Sequence, residues 1–313
     1  MHARTAAVAL ATLLAAGTAT ASDLVNFTTV FNTDWTQAGV GGLRGVGSGE
    51  IALSAVRGPV TRAYLYWHGP ANPTSDSANA GISFAGNAIV GTSTGLSDDN
   101  FWGFDNSQAY RADVTALVSG NGSYALGDMT KPGVEINGAS LIVFYDDGNA
   151  ANNRDVVLFN GNDANWPNPY DAVGWNTTLS GINYSGGAVG LHMHVSDGQN
   201  FSDDDDGTLL LNGDVLATGG IFQGDSTPRG TGGVANGALW DIRGFDVTSF
   251  LSPGSNAMNF SMSTVNDALS LVAVAIDLPS GAAPPIPEPG TYALMLAGLA
   301  GLGWATRRRR SGL

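Results

Sequence analysis

The apolar positions of this chain fall in short runs, not along a helical period. Ala63-Tyr-Leu-Tyr-Trp-His68, Ser140-Leu-Ile-Val-Phe-Tyr145, Asp155-Val-Val-Leu-Phe159 and Ser270-Leu-Val-Ala-Val-Ala-Ile276 are rich in β-branched and aromatic residues. Such runs between turn residues predict strands. No stretch of about twelve residues between Asp23 and Leu278 carries a convincing helical period. Asn-Gly at 121, 137, 160, 212 and 236, and Asp-Gly at 147, 197 and 206, separate the runs. These dipeptides reach positive φ cheaply, as tight hairpins require. The pattern predicts an all-β body.

The same elements then recur in the same order. Asp113-Val-Thr-Ala-Leu-Val-Ser119 returns as Asp246-Val-Thr-Ser-Phe-Leu-Ser252, and Ser140–Asp146 returns as Ser270–Asp277 with one residue inserted. Ala85–Val90 matches Asn212–Ala217, Val30–Trp35 matches Leu158–Trp166, and Ala63–His68 matches Val189–His194. Five matches at offsets of 126 to 133 residues predict an internal duplication. The expected organisation is two tandem β-sandwich units of jelly-roll-like form, at 22–150 and 151–279. One large sandwich with accidental similarity is the alternative. The run Val60–His68, followed by the Asp-Val-Thr element, resembles exported jelly-roll domains of undefined function in bacterial and archaeal surface proteins. That resemblance implies a sandwich and no chemistry.

Both ends read as addresses. Residues 1–21 carry Arg4, an apolar run from Ala6 to Ala16 and a small-residue close at Ala19-Thr20-Ala21. This is the layout of a secretory signal, with an N-terminal signal helix and cleavage by signal peptidase after Ala21. Residues 280–286 form a Pro-rich linker. Residues 287–313 begin Pro287-Glu288-Pro289-Gly290, continue through an apolar stretch at 291–306 and end in Arg307, Arg308, Arg309 and Arg310. The tail predicts a short C-terminal transmembrane helix held by its arginines on the cytoplasmic side. It resembles the PEP-CTERM sorting signal of Gram-negative bacteria. The resemblance implies export across the inner membrane and recognition by an exosortase, a membrane-embedded cysteine protease that cuts near the motif. The destination it implies is the cell surface or extracellular matrix of a biofilm. A permanent anchor without cleavage is the other reading.

Composition narrows the class. No Cys among 313 residues excludes disulfides, thiolate metal sites and a cysteine nucleophile. The 24 Asp against 3 Glu, and 12 Arg against a single Lys, suit turns better than surface helices. A net charge of −14 leaves no basic stripe for nucleic acid.

Candidate chemistry is sparse. Ser202, Asp204 and Asp206 before Gly207 imitate half a calcium loop, and Asp197 and Asn200 supply further oxygens. A solvated acidic turn is the alternative. His192 and His194 share one face of a strand, as two metal ligands or as a polar strand face, with Leu191, Met193 and Val195 toward the core. Gly91-Thr-Ser-Thr-Gly95 has the letters of a nucleophile elbow but no following helical pattern, and is set aside. Trp166, Tyr170 and Trp175 lie among Asn, Asp and Pro, where rings stack on sugars or cover a sandwich end. No catalytic constellation assembles. The sequence reads as a non-catalytic envelope or exopolysaccharide-matrix protein with a structural or carbohydrate-binding role. An extracellular glycan hydrolase using paired Asp carboxylates is the alternative.

Overall fold

A computed structural model describes residues 24–98, 103–201, 206–262 and 265–281. The first part of the chain runs through β1 (Val25–Val40), β2 (Gly49–Leu53), β3 (Val60–Ala71), β4 (Gly81–Phe84), β5 (Asn87–Val90), β6 (Thr92–Ser97), β7 (Asn106–Asp113), β8 (Gly122–Gly127) and β9 (Gly138–Tyr145). The second runs through β10 (Arg154–Ala164), β11 (Trp175–Tyr184), β12 (Gly190–Ser196), β13 (Thr208–Leu211), β14 (Asp214–Thr218), β15 (Trp240–Asp246), β16 (Gly254–Met262) and β17 (Ser270–Pro279). The helical content among the described residues is two single 3-10 turns, Thr115–Leu117 and Thr248–Phe250. No helix among them is long and apolar enough to cross a membrane. The expected signal and membrane helices lie outside the described residues.

Among the described residues the strands form three antiparallel sheets. One has nine strands in the order β15-β12-β17-β10-β1-β9-β3-β7-β6, and two have four, β11-β16-β13-β14 and β2-β8-β4-β5. The order β1-β9-β3-β7 over β2-β8-β4-β5 reappears as β10-β17-β12-β15 over β11-β16-β13-β14. The corner bonds recur with it. Val114 N–H donates to Ala63 O and Ala63 N–H to Thr115 Oγ1, just as Val247 donates to Val189 O and Val189 to Thr248 Oγ1.

Strand β1 joins the two halves. Its start, Val25–Thr33, pairs with β10, and its end, Asp34–Val40, pairs with β9. The register slips between Val30 and Thr33, where Asn32 takes a φ of +50°. Such a bulge bends a strand and re-aims its side chains.

Three cores follow. Leu65, Trp67, Tyr110 and Leu141 pack against Ile51, Ile82, Phe84 and Leu126 in the first half. Met193, Val195, Val274 and Ile276 pack against Trp175, Leu179, Leu211 and Phe260 in the second. A third cluster, including Tyr66, Ile142, Phe144, Val156, Leu158, Val272 and Trp240, draws on the opposite faces of strands in the nine-stranded sheet. Its central strands are therefore covered on both faces. All eight residues of β9 are buried, whereas β11 in an outer sheet alternates buried and exposed. The continuous apolar runs of the sequence belong to the doubly covered strands.

Candidate functional site

The loop between β10 and β11 frames an open groove on the second half. Asn165 anchors its start: Oδ1 accepts from Leu269 N–H at 2.9 Å and Nδ2 donates to Asp267 O at 3.1 Å. Asn168 Oδ1 then accepts from the backbone of Tyr170 and Asp171, and Asp171 Oδ1 from Val173. These Asx turns fold the segment without strand pairing. Gly174 closes it at a φ of +66°, where a Cβ would lie 2.8 Å from Asn165 C and Trp166 N. The sequence needs glycine there.

The groove has a volume of about 730 Å³. Half-buried Trp166 lines it, with Pro167, Asn176 at the start of β11, Thr208 from β13 and Ser261 from β16. Trp175 contributes only an edge. It is 2% exposed, its ring meets Phe222 edge-on at 5.8 Å, and its indole N–H donates to Asp163 O at 2.6 Å. Tyr170 is not on the groove. Burial, then the charges of Asp98 and Asp105 from the first half, push its phenol pKa up, while Asn168 reaches Ser97 Oγ at 3.5 Å. The three aromatics picked out in the sequence thus separate into a groove wall, a core residue and a half-buried residue of the loop that Asn168 ties to the first half. No described lining residue carries a carboxylate or an imidazole. Thr208 and Ser261 were not legible as site residues because they arrive from distant strands.

The acidic loop divides as well. Ser202 and Asp204 lie outside the described residues. Asp197 is buried and forms an ion pair with Arg44 at 3.0 Å, with Asn137 Nδ2 donating to it at 3.2 Å. Asp206 is also buried and accepts from Phe222 N–H at 2.6 Å. Asn200 is exposed and exchanges contacts with Asn236 and Gln223. Among the described residues no three His, Asp or Glu side chains gather as a metal site requires.

The histidines lie in the seam between the halves. Hydrogen-bond direction runs from Ser140 Oγ–H to His194 Nδ1 at 2.6 Å, from His194 Nε2–H to Gln37 Oε1 at 2.9 Å, and from Gln37 Nε2–H to His192 Nδ1 at 3.0 Å. This chain satisfies neutral rings. Burial, and then the neighbouring His192, push the His194 pKa down to about 3. His68, bonded to Ser196 Oγ at 2.7 Å, is pushed down to about 3 by burial and then by Arg44. Burial also lowers His192.

Residues 285–310 match the PEP-CTERM protein-sorting motif, which marks the chain as an exported protein with a C-terminal signal handled by an exosortase. The motif residues lie outside the described residues, as does the cleavage segment at Ala19 and Ala21. No curated protein is significantly similar in sequence. Among solved structures, a peptide-N(4)-(N-acetyl-β-D-glucosaminyl) asparagine amidase aligns at 12% identity over 84% of this chain and 98% of its own, with a TM-score of 0.31. PNGF-II aligns at 10% identity over 84% of this chain and 62% of its own, with a TM-score of 0.31. A complex of plant peptide RALF23 with FER and LLG2 aligns at 11% identity over 79% of this chain and 88% of that one, with a TM-score of 0.26. None of these likenesses is close enough to transfer a site or an activity.

Proposed function

We propose that this exported protein acts without catalysis in the cell envelope or extracellular matrix, and that the groove beside Trp166 binds polysaccharide. The half-buried Trp166 ring, flanked by Asn176, Thr208 and Ser261, is the observation that supports this reading. A sugar ring stacks its C–H face on an indole while hydroxyl and amide groups bond its rim. A paired-carboxylate hydrolase would need two acids roughly 5 to 10 Å apart on the groove wall. Amide, hydroxyl and apolar side chains make up the described lining, and these are the groups a bound sugar meets.

The repeated strand order and corner bonds support descent of the two halves, 22–150 and 151–279, from one duplicated sandwich. In this reading signal peptidase removes residues 1–21. The segment 291–306 then spans the inner membrane until the exosortase acts at Pro287-Glu288-Pro289.

Titration of the purified protein with matrix oligosaccharides, followed by tryptophan fluorescence, tests the groove. Wild type is expected to shift and saturate, and Trp166→Ala to lose the response while keeping its melting temperature within a few degrees. Equal responses from both proteins would remove the groove from the account.

A further inference from the structure

The only lysine in the chain is aimed at a buried carboxamide. Twelve arginines supply every other cationic side chain, but Lys131 is held in a short loop after β8. Its backbone exchanges hydrogen bonds with Val134 in both directions. Its Nζ donates to Asn79 Oδ1 and, at 2.8 Å, to Asp128 O. Asn79 is 3% exposed and fixed at every polar atom. Its backbone N–H donates to Tyr110 Oη at 3.0 Å, its carbonyl accepts from Trp67 Nε1 at 3.0 Å, and its Nδ2 donates to Met129 O at 2.9 Å. The stacked rings of Trp67 and Tyr110 and the buried Met129 enclose the Asn79 side of the site, while Lys131 is half-buried.

An amine and a carboxamide held this way are kept in contact, and that proximity removes much of the entropic part of such a barrier. We propose that Lys131 and Asn79 join in an intramolecular isopeptide bond. The Lys131 Nζ–Asn79 Cγ bond forms and the Cγ–Nδ2 bond breaks. The two protons lost by the ammonium leave on the departing nitrogen, so ammonium is the only by-product and no co-reactant is consumed. Burial lowers the Lys131 pKa, easing release of the nucleophilic amine, while the carboxylate of Asp128 acts in the opposite sense. The link would tie the turn before β4 to the loop after β8, 52 residues apart. That gives an exported chain without cysteine a covalent crosslink of the kind disulfides provide elsewhere. The second half, with no lysine, cannot repeat it.

Arg-specific digestion of the full-length protein followed by mass spectrometry decides the matter. Cleavage at Arg62, Arg111 and Arg154 places Asn79 in peptide 63–111 and Lys131 in peptide 112–154. The expected product is a single branched species whose mass is the two peptides' sum less about 17 Da, one ammonia. The Lys131→Arg and Asn79→Ala proteins should yield no branched species. Two separate wild-type peptides at their sequence masses would overturn the proposal, and because that readout is on wild type it does not depend on either variant folding.

Discussion

His68 and His194 are fully buried in the seam, and both stay neutral to about pH 3. An unfolded chain protonates its histidines near pH 6.5. Between those values the unfolded state binds more protons, so stability present above pH 6.5 is lost as pH falls toward 3. Each histidine contributes up to about 1.4 kcal/mol per pH unit. Urea melts at pH 7, 6, 5 and 4 should show this slope, and His194→Gln should flatten it. An unchanged slope would mean that His194 is not buried neutral. The strand spacing of His192 and His194 was legible, including their separation from Leu191, Met193 and Val195. Their partners were not, because Gln37 lies 155 residues from His192 and reaches it only through the fold. Trp166 and Trp175 present the same difficulty: both are tryptophans beside turn residues, and only packing against Phe222 and Asp163 puts Trp175 inside. Trp175→Ala should cost about 3–5 kcal/mol in denaturant melts, unlike Trp166→Ala.

Among the elements, the loop before β11 depends on one backbone conformation. Gly174→Ala combines a disfavoured φ of +66° with contacts of 2.8 Å against the backbone of Asn165 and Trp166. It is expected to lower stability by about 1–3 kcal/mol and to weaken sugar binding by displacing Trp166. Denaturant melts and the fluorescence titration read the two effects separately. The strongest sequence signals, in β3, β9, β10 and β17, came from strands buried on both faces, where no polar alternation dilutes the run. The Asn-Gly pairs misled in part. Asn212-Gly213, with φ of +53° and +86°, turns β13 into β14. Asn137 and Asn160 instead hydrogen-bond within the buried seam, to Arg44 and Arg111. A dipeptide reports what the backbone tolerates, while burial decides how the position is used.

In the molecule as a whole, the two halves share one nine-stranded sheet and a polar seam closed by Arg44 and Asp197. Arg44 is contributed after β1 and Asp197 after β12, and both side chains are largely buried. Arg44→Met leaves the Asp197 carboxylate buried without its cation and should cost about 3–5 kcal/mol. Because β1 pairs with strands of both halves, calorimetry should show one unfolding transition in wild type. The repeat in the sequence runs parallel to the repeated strand order, but the straddling of β1 was not legible, since strand pairing leaves no mark on a single run. In the proposed function, the exported body meets polysaccharide through the Trp166 groove. Binding of the purified protein to the producing cell's own extracellular polysaccharide, compared with Trp166→Ala, tests this most directly. Saturable binding abolished in the variant is the predicted result. Absent binding, or binding that survives Trp166→Ala, would contradict it.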